Sequence, residues 1–173
     1  GSWYDDPQAC PAAPLFRLGI YLLNDLCRFV APVRDVQVLQ SRLLTGRPTA
    51  DNALLSLVHE DGTLGSLYAT FCCEDGQPYR CELELCFDHG TVWRNAGLKR
   101  TDEISLALST QREGQRVIRE ERVTVEGAGY QWATFADAIQ GKPVIPTVTP
   151  EQVASAIRVL ELMRERQGVL WQA

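Results

Sequence analysis

No stretch of the chain approaches the roughly 18 consecutive apolar residues of a membrane span, and no basic segment leading into an apolar one opens it. The sequence therefore reads as a soluble, cytoplasmic protein with no membrane partner. Basic residues are in the minority: 17 Lys and Arg stand against 22 Asp and Glu, a net charge of -5. With no basic patch interleaved with aromatics, nucleic acid is excluded as a partner. There are two histidines, His59 at a strand end and His89 in a turn, and both read as solvated surface groups. Six cysteines, at 10, 27, 72, 73, 81 and 86, form no C-x-x-C pair, so no metal site is expected and the thiols read as small apolar residues. A G-x-G-x-x-G loop is also absent, so no dinucleotide cofactor is expected to bind this chain alone.

What is present is enough for a core: 173 residues, 45% of them hydrophobic, favour a single domain spanning 1–173. The organising stretch is 14–30. Leu15, Leu18, Leu22, Leu26 and Phe29 recur every three or four residues, widened by Leu23 and Val30, which gives one buried face of an amphipathic helix. Pro14 suits the first helical position and Pro32 ends the run. Gly19 is unusual, because an interior helical glycine costs about 1 kcal/mol against alanine; backbone or ligand is expected to come close there. Arg17 and Tyr21, four residues apart, flank it on one face.

Strands are expected at 35–45, 53–60, 63–74, 79–87, 91–95, 103–109 and 116–123. The third alternates cleanly, with Leu67, Ala69, Phe71 and Cys73 on one face and Ser66, Tyr68, Thr70 and Cys72 on the other. The fourth repeats the pattern through Tyr79, Cys81, Leu83 and Leu85. Joined through a turn at 75–78, the two would pair with an even residue sum, Phe71 opposite Cys81 being favoured over Cys73 opposite Cys81. From Gly129 the period becomes helical and ends at Gly141. Thr149-Pro150-Glu151-Gln152 is a capping-box start for a last helix through Val153, Ile157, Leu160 and Met163 to about residue 167.

Helix, strands, then two helices is an α+β order, with a mostly antiparallel open sheet and the helices packed on one face. The other face, carrying Tyr68, Thr70, Glu82 and Glu84, is left for solvent or for a second copy of the chain.

Gly1-Ser2-Trp3, the approach Ala12-Ala13-Pro14, the run Leu18-Gly19-Ile20-Tyr21-Leu22-Leu23-Asn24 and the closing Thr134-Phe135-Ala136-Asp137-Ala138-Ile139 with its Thr-Pro-Glu link resemble the C-terminal domain of the glucose-fructose oxidoreductase and inositol dehydrogenase (Gfo/Idh/MocA) family. The resemblance implies a dihydrodipicolinate-reductase-like fold that follows a Rossmann domain in a larger two-domain protein. It also implies NAD or NADP in that parent, a small-molecule substrate, and a homo-oligomer formed through the sheet face. The family's helix typically reads Asp-x-Gly-x-His-x-x-Asp. Here Gly19 is kept, while Arg17 stands at the first aspartate, Tyr21 at the catalytic histidine and Asn24 at the second aspartate.

Tyr21 is thereby the candidate catalytic residue, since a phenol donates to a carbonyl or imine. With an ordinary pKa of about 10 it needs a neighbouring cation such as Arg17 to serve as a base. Arg17, Gly19 and Asn24 are the candidate substrate contacts. Two functions follow: the substrate-binding and oligomerisation domain of an NAD(P)-dependent oxidoreductase acting on a sugar-like or other small polar substrate, or a catalytically inactive relative that binds small molecules or assembles.

Overall fold

The computed structural model describes residues 2–73, 81–96, 103–124, 129–144, 149–166, 168 and 170–172. Its internal contacts separate the chain into two compact units, one made of Gly1–Glu74 with Pro146–Ala173, the other of Asp75–Ile145.

The first unit holds a helical segment and a four-stranded sheet of order β3-β2-β1-β8. A π-helical turn, Leu15–Gly19, leads into α1, Ile20–Phe29. The strands β1 (Val33–Arg42), β2 (Asn52–His59) and β3 (Leu64–Thr70) form an antiparallel meander. Period two decides the faces: Leu55 stands between Val38 and Leu67 in the register, and all three are buried, as are Ala53, Leu57 and Ala69 on the same side. The residues between them on β3, Ser66 and Tyr68, are exposed. This much matches the expected alternation.

Three features of this unit depart from expectation. The helical stripe is rotated: the buried positions are Leu15, Gly19, Leu23, Leu26 and Cys27, while Phe29 is 53% exposed. Four residues of α-helix overshoot a full turn by about 40°, and the wider π turn takes up that overshoot between Leu15 and Gly19. A strand too short to signal itself, β8 (Leu170–Gln172), pairs in parallel with the end of β1. His59 is buried, 1% exposed, with its Nδ1–H donating to the Ala31 carbonyl as the chain leaves α1 and crosses the sheet.

The last helix, α3 (Pro150–Glu165), packs on α1 and β1 and begins with the expected capping box: Thr149 Oγ1 accepts from the Gln152 amide, and Gln152 Oε1 accepts from the Thr149 amide. It buries Ala156, Val159 and Met163 rather than Val153 and Ile157, which are exposed. Both sets recur at helical spacing, and the helix turns inward the smaller one, which lets it lie close to its neighbours.

The second unit is an antiparallel sheet of order β4-β5-β6-β7, with β4 (Leu83–Phe87), β5 (Gly90–Ala96), β6 (Glu103–Arg112) and β7 (Gln115–Thr124), and the helix α2 (Gly129–Ile139). Asp88-His89 and Glu113-Gly114 close two-residue hairpins; the latter pair has positive φ at both positions, as a primed turn requires. Register puts Leu85, Val92 and Leu108 in a row on one face, with Ile104, Leu106 and Val123 beside them. The opposite face mixes Trp93, Ala107 and Ile118 with polar groups: Ser105 donates to Glu120, and Arg122 pairs with Glu103 and Glu120.

The fold is α+β and mostly antiparallel, as expected, but its strands fall in two sheets. The hairpin expected between residues 63–74 and 79–87 is therefore corrected: β3 pairs with β2 and β4 with β5, and β3 and β4 are not paired. The turn at 75–78 and Tyr79 lie outside the described residues. Phe71 does not face Cys81; the Cys72 sulfur accepts from Asn52 and the Cys81 sulfur from Arg94. Tyr68 and Thr70 likewise belong to a different sheet from Glu84, so they do not share the single open face expected for them.

Candidate functional site

The helical segment 14–29 is fixed in place from beneath. At Gly19 the helix comes so close to β3 that an added Cβ would lie 2.9 Å from Leu67 Cδ2 and 3.2 Å from Leu15 Cδ2. The absent side chain thus serves close approach of helix and sheet, and Gly19 itself faces the core. Ala12, at φ 53, sets the angle at which the helix leaves the lead-in, and its amide donates to Gln40 Oε1. Gln40 Nε2 in turn donates to the Gly168 carbonyl, tying the start of the helix to the C-terminal strand across β1.

On the outer side stand the expected site residues. Arg17 is exposed, Tyr21 is 59% exposed and Asn24 is half-buried. Arg28 follows four residues later, exposed, with its guanidinium 5.6 Å from the Phe29 ring. No side-chain hydrogen bond or ion pair joins Arg17, Tyr21 or Asn24 to any described residue, or to one another. Their polar groups are available to a ligand, and the helix offers a phenol donor beside a permanent cation. Gly19 is the expected site residue that the structure does not bring to this surface.

Two buried polar groups were not legible in the sequence, one without a site motif and one expected at the surface. Asp51, 0% exposed, accepts from the backbone amides of Leu43, Leu44 and Thr45 at 2.8 to 3.1 Å and from Asn52 Nδ2 at 2.9 Å. Burial alone would raise its pKa, but the amides of Thr45, Leu44 and Leu43 override this and hold it below the ordinary carboxylate value. Asn52 continues the network, its Oδ1 accepting from Tyr68 and Thr70. The signal for Asp51 was Gly46-Arg47-Pro48 just before it, a turn-rich loop whose amides need an acceptor. The second group is His59 Nε2, which is buried without a hydrogen-bond partner among the described residues.

Among the described residues no three His, Cys, Asp or Glu side chains converge as a metal site, and no helix is long and apolar enough to cross a membrane. The burial of Cys10 pushes its thiol up to about 11, so it is an inert packing group.

The family model described as the GFO/IDH/MocA C-terminal domain matches residues 1–93. No curated protein sequence matches the chain. Among solved structures, a levoglucosan dehydrogenase in complex with NADH and L-sorbose superposes with a TM-score of 0.68 at 15% identity, over 96% of this chain and 51% of that one. KijD10, a 3-ketoreductase from Actinomadura kijaniata in complex with TDP-benzene and NADP, gives 0.61 at 14% identity, over 92% and 48%. The WlbA dehydrogenase from Bordetella pertussis, in complex with NADH and UDP-GlcNAcA, gives 0.60 at 15% identity, over 88% and 42%. At such identities the likeness is one of fold, and this chain spans about half the length of the proteins it matches.

Proposed function

Because the chain belongs to the GFO/IDH/MocA C-terminal domain family, we propose that it is the substrate-binding and oligomerisation domain of a two-domain, cytoplasmic, NAD(P)-dependent oxidoreductase acting on a sugar-like or other small polar substrate. The observation that carries this reading is the unpartnered phenol of Tyr21, exposed between Arg17 and Asn24 on a helix whose inner side is locked by Leu15, Gly19 and Leu23. A nicotinamide, if bound by a dinucleotide-binding domain, would supply the hydride chemistry at a substrate carbon. Tyr21 gives its proton to the substrate oxygen as that carbon is reduced and recovers it in the reverse direction. Arg17 stabilises negative charge on the substrate or on the phenolate. Asn24 orients a hydroxyl, with one acceptor and two donors to offer. Gly19 acts from below, by letting the helix sit close enough on β3 to hold these groups in place.

Tyr21→Phe in the full-length protein tests the assignment. Turnover should fall by about 10² to 10⁴ with the circular dichroism spectrum and urea midpoint unchanged. Turnover within about threefold of the parent would reduce Tyr21 to a surface residue. A second reading, an inactive relative that binds small molecules, is favoured by the ordinary chemistry of Arg, Tyr and Asn, none of which is an acid or base poised near neutral pH. A lysine-bearing Rossmann domain upstream, together with turnover, would exclude it.

A further inference from the structure

Arg17, Tyr21, Asn24 and Arg28 follow one another at intervals of four, three and four on the solvent side of one helical segment. From Arg17 to Arg28 the segment rises about 16 Å, and from Arg17 to Tyr21 about 6 Å, so the first two can meet one group of a ligand whose remainder extends along Asn24 and Arg28. None of the four side chains has a hydrogen bond or ion pair with a described residue, and Arg28 only lies over the Phe29 ring, 5.6 Å from its centroid. The single acid of the segment, Asp25, is already engaged with another group. The resulting surface is unbalanced in a particular way. Two guanidiniums carry five N–H donors each and accept nothing, the phenol adds a donor, and the Asn24 amide adds two more. Acceptors are limited to the phenol oxygen and Asn24 Oδ1. A neutral polyol, each of whose hydroxyls both donates and accepts, would leave most of these donors unmatched and the charges uncompensated. A group that only accepts hydrogen bonds and carries negative charge matches them.

The surroundings argue against a merely solvated basic face. The chain as a whole is acidic, at -5, so a local excess of positive charge attracts small anions against the overall field rather than with it. The frame is also rigid: a π-helical turn encloses Arg17, and Leu15, Gly19, Leu23 and Leu26 are buried beneath it. Such turns recur at functional sites because the extra residue redirects side chains from the regular helical spacing.

We propose that this face binds an anionic group of the substrate, a carboxylate or a phosphate, with Arg17 making the principal contact and Tyr21 a supporting hydrogen bond, while Asn24 and Arg28 reach the rest of the molecule. The inference rests on the proposed function in taking this ligand to be the substrate of the same site.

The test uses the full-length protein, with D-glucose, D-glucuronate and D-glucose 6-phosphate as matched probes in initial-rate assays and in calorimetric titrations. One anionic probe should exceed glucose in kcat/KM by about 10- to 150-fold, the worth of a charge-assisted contact, and the uronate and phosphate arms tell the two sources apart. Arg17→Gln should bring the ratio of anion to glucose to within about threefold, and Arg17→Lys should leave it in between, since lysine keeps the charge but loses the forked geometry. Raising the salt should lower the ratio for the parent and not for Arg17→Gln. Equal use of the three probes, with a ratio insensitive to Arg17→Gln, would overturn the anion site and leave the oxidoreductase reading standing. Absence of turnover of all three probes, combined with saturable binding of an anion that Arg17→Gln abolishes, would keep the anion site and favour the reading of an inactive relative. Neither turnover nor anion binding would overturn the inference.

Discussion

Replacing Asp51 should be the most destabilising conservative change in the first unit. Its carboxylate has no solvent exposure, yet three of its four donors are the amides of Leu43, Leu44 and Thr45, in a loop where Leu43 and Leu44 themselves are exposed. A charge-assisted hydrogen bond contributes about 1.5 to 3 kcal/mol net. Four of them would suggest far more, but water can reach the loop amides once the acceptor is gone, and the desolvation of a buried carboxylate, several kcal/mol, is recovered. The difference leaves about 2 to 4 kcal/mol for Asp51→Ala. Asp51→Asn should lose about 2 kcal/mol, because its NH₂ would meet a backbone donor where an oxygen is needed. Out of a total stability of about 5 to 15 kcal/mol that is a large fraction. The sign of the pH effect follows from the direction of the shift. Asp51 has its pKa lowered in the folded protein, so its stabilisation is fully present above the unfolded carboxylate value of about 3.9 and is lost as the pH falls through the lower folded value. Urea denaturation of the parent and Asp51→Asn at pH 7 and at successively lower pH gives the comparison, with the slope m expected to be the same. A loss below about 0.5 kcal/mol at neutral pH, or a gap between the two proteins that widens in acid, would refute the reasoning.

Gly19→Ala sets a gain in helix propensity of about 1 kcal/mol against overpacking on Leu67 and Leu15, both buried, which costs about 1 to 3 kcal/mol; a net loss near 1 kcal/mol in urea midpoint is expected, and a stabilised variant would show that the helix can move off the sheet. Thr149→Ala should cost about 1 kcal/mol by removing the side-chain cap of α3, with Thr149→Ser retaining most of it; equal losses for the two would mean that the hydroxyl is idle. Self-association is expected through the apolar face of the second sheet, where Phe87 is 54% exposed and Leu106 and Leu108 are accessible. Leu106→Glu should lower the sedimentation-derived mass at tens of micromolar, and an unchanged mass would remove this face from the interface.

What could be read in the sequence was local. Alternation in 63–70 gave the faces of β3, because a strand with one side buried must place Leu67 and Ala69 together and Tyr68 opposite them. The start of α3 was legible because Thr149-Pro150-Glu151-Gln152 carries its own hydrogen-bond partners within four residues. Arg17 and Tyr21, expected to flank Gly19 on one face, are exposed while Gly19 faces the core. The rotation of the buried stripe was not legible, since a period of 3.6 was applied to a segment in which the close packing of Gly19 on Leu67 goes with a wider turn. The strand β8 has three residues, and its place beside β1 depends on Gln40 holding Gly168 from 128 positions away.

The division into two sheets shows where such reading stops. Leu67 and Ala69 on one strand and Leu83 and Leu85 on the next have the same parity, so the hydrophobic pattern is satisfied equally by a hairpin between them and by two strands that never meet. Polar groups hold the chain where β3 ends. The Phe71 amide donates to the Asp51 carbonyl, Thr70 Oγ1 donates to Asn52 Oδ1 and itself accepts from the Cys72 amide, and Asn52 Nδ2 reaches the Cys72 sulfur. The first of these bonds continues the pairing of β3 with the start of β2, and the Cys72 amide, taken by Thr70 Oγ1, is no longer free for another strand. Asp51 and Asn52 therefore hold the end of β3 as well as the loop before β2, and a pattern that weighs only apolar residues carries no signal for either.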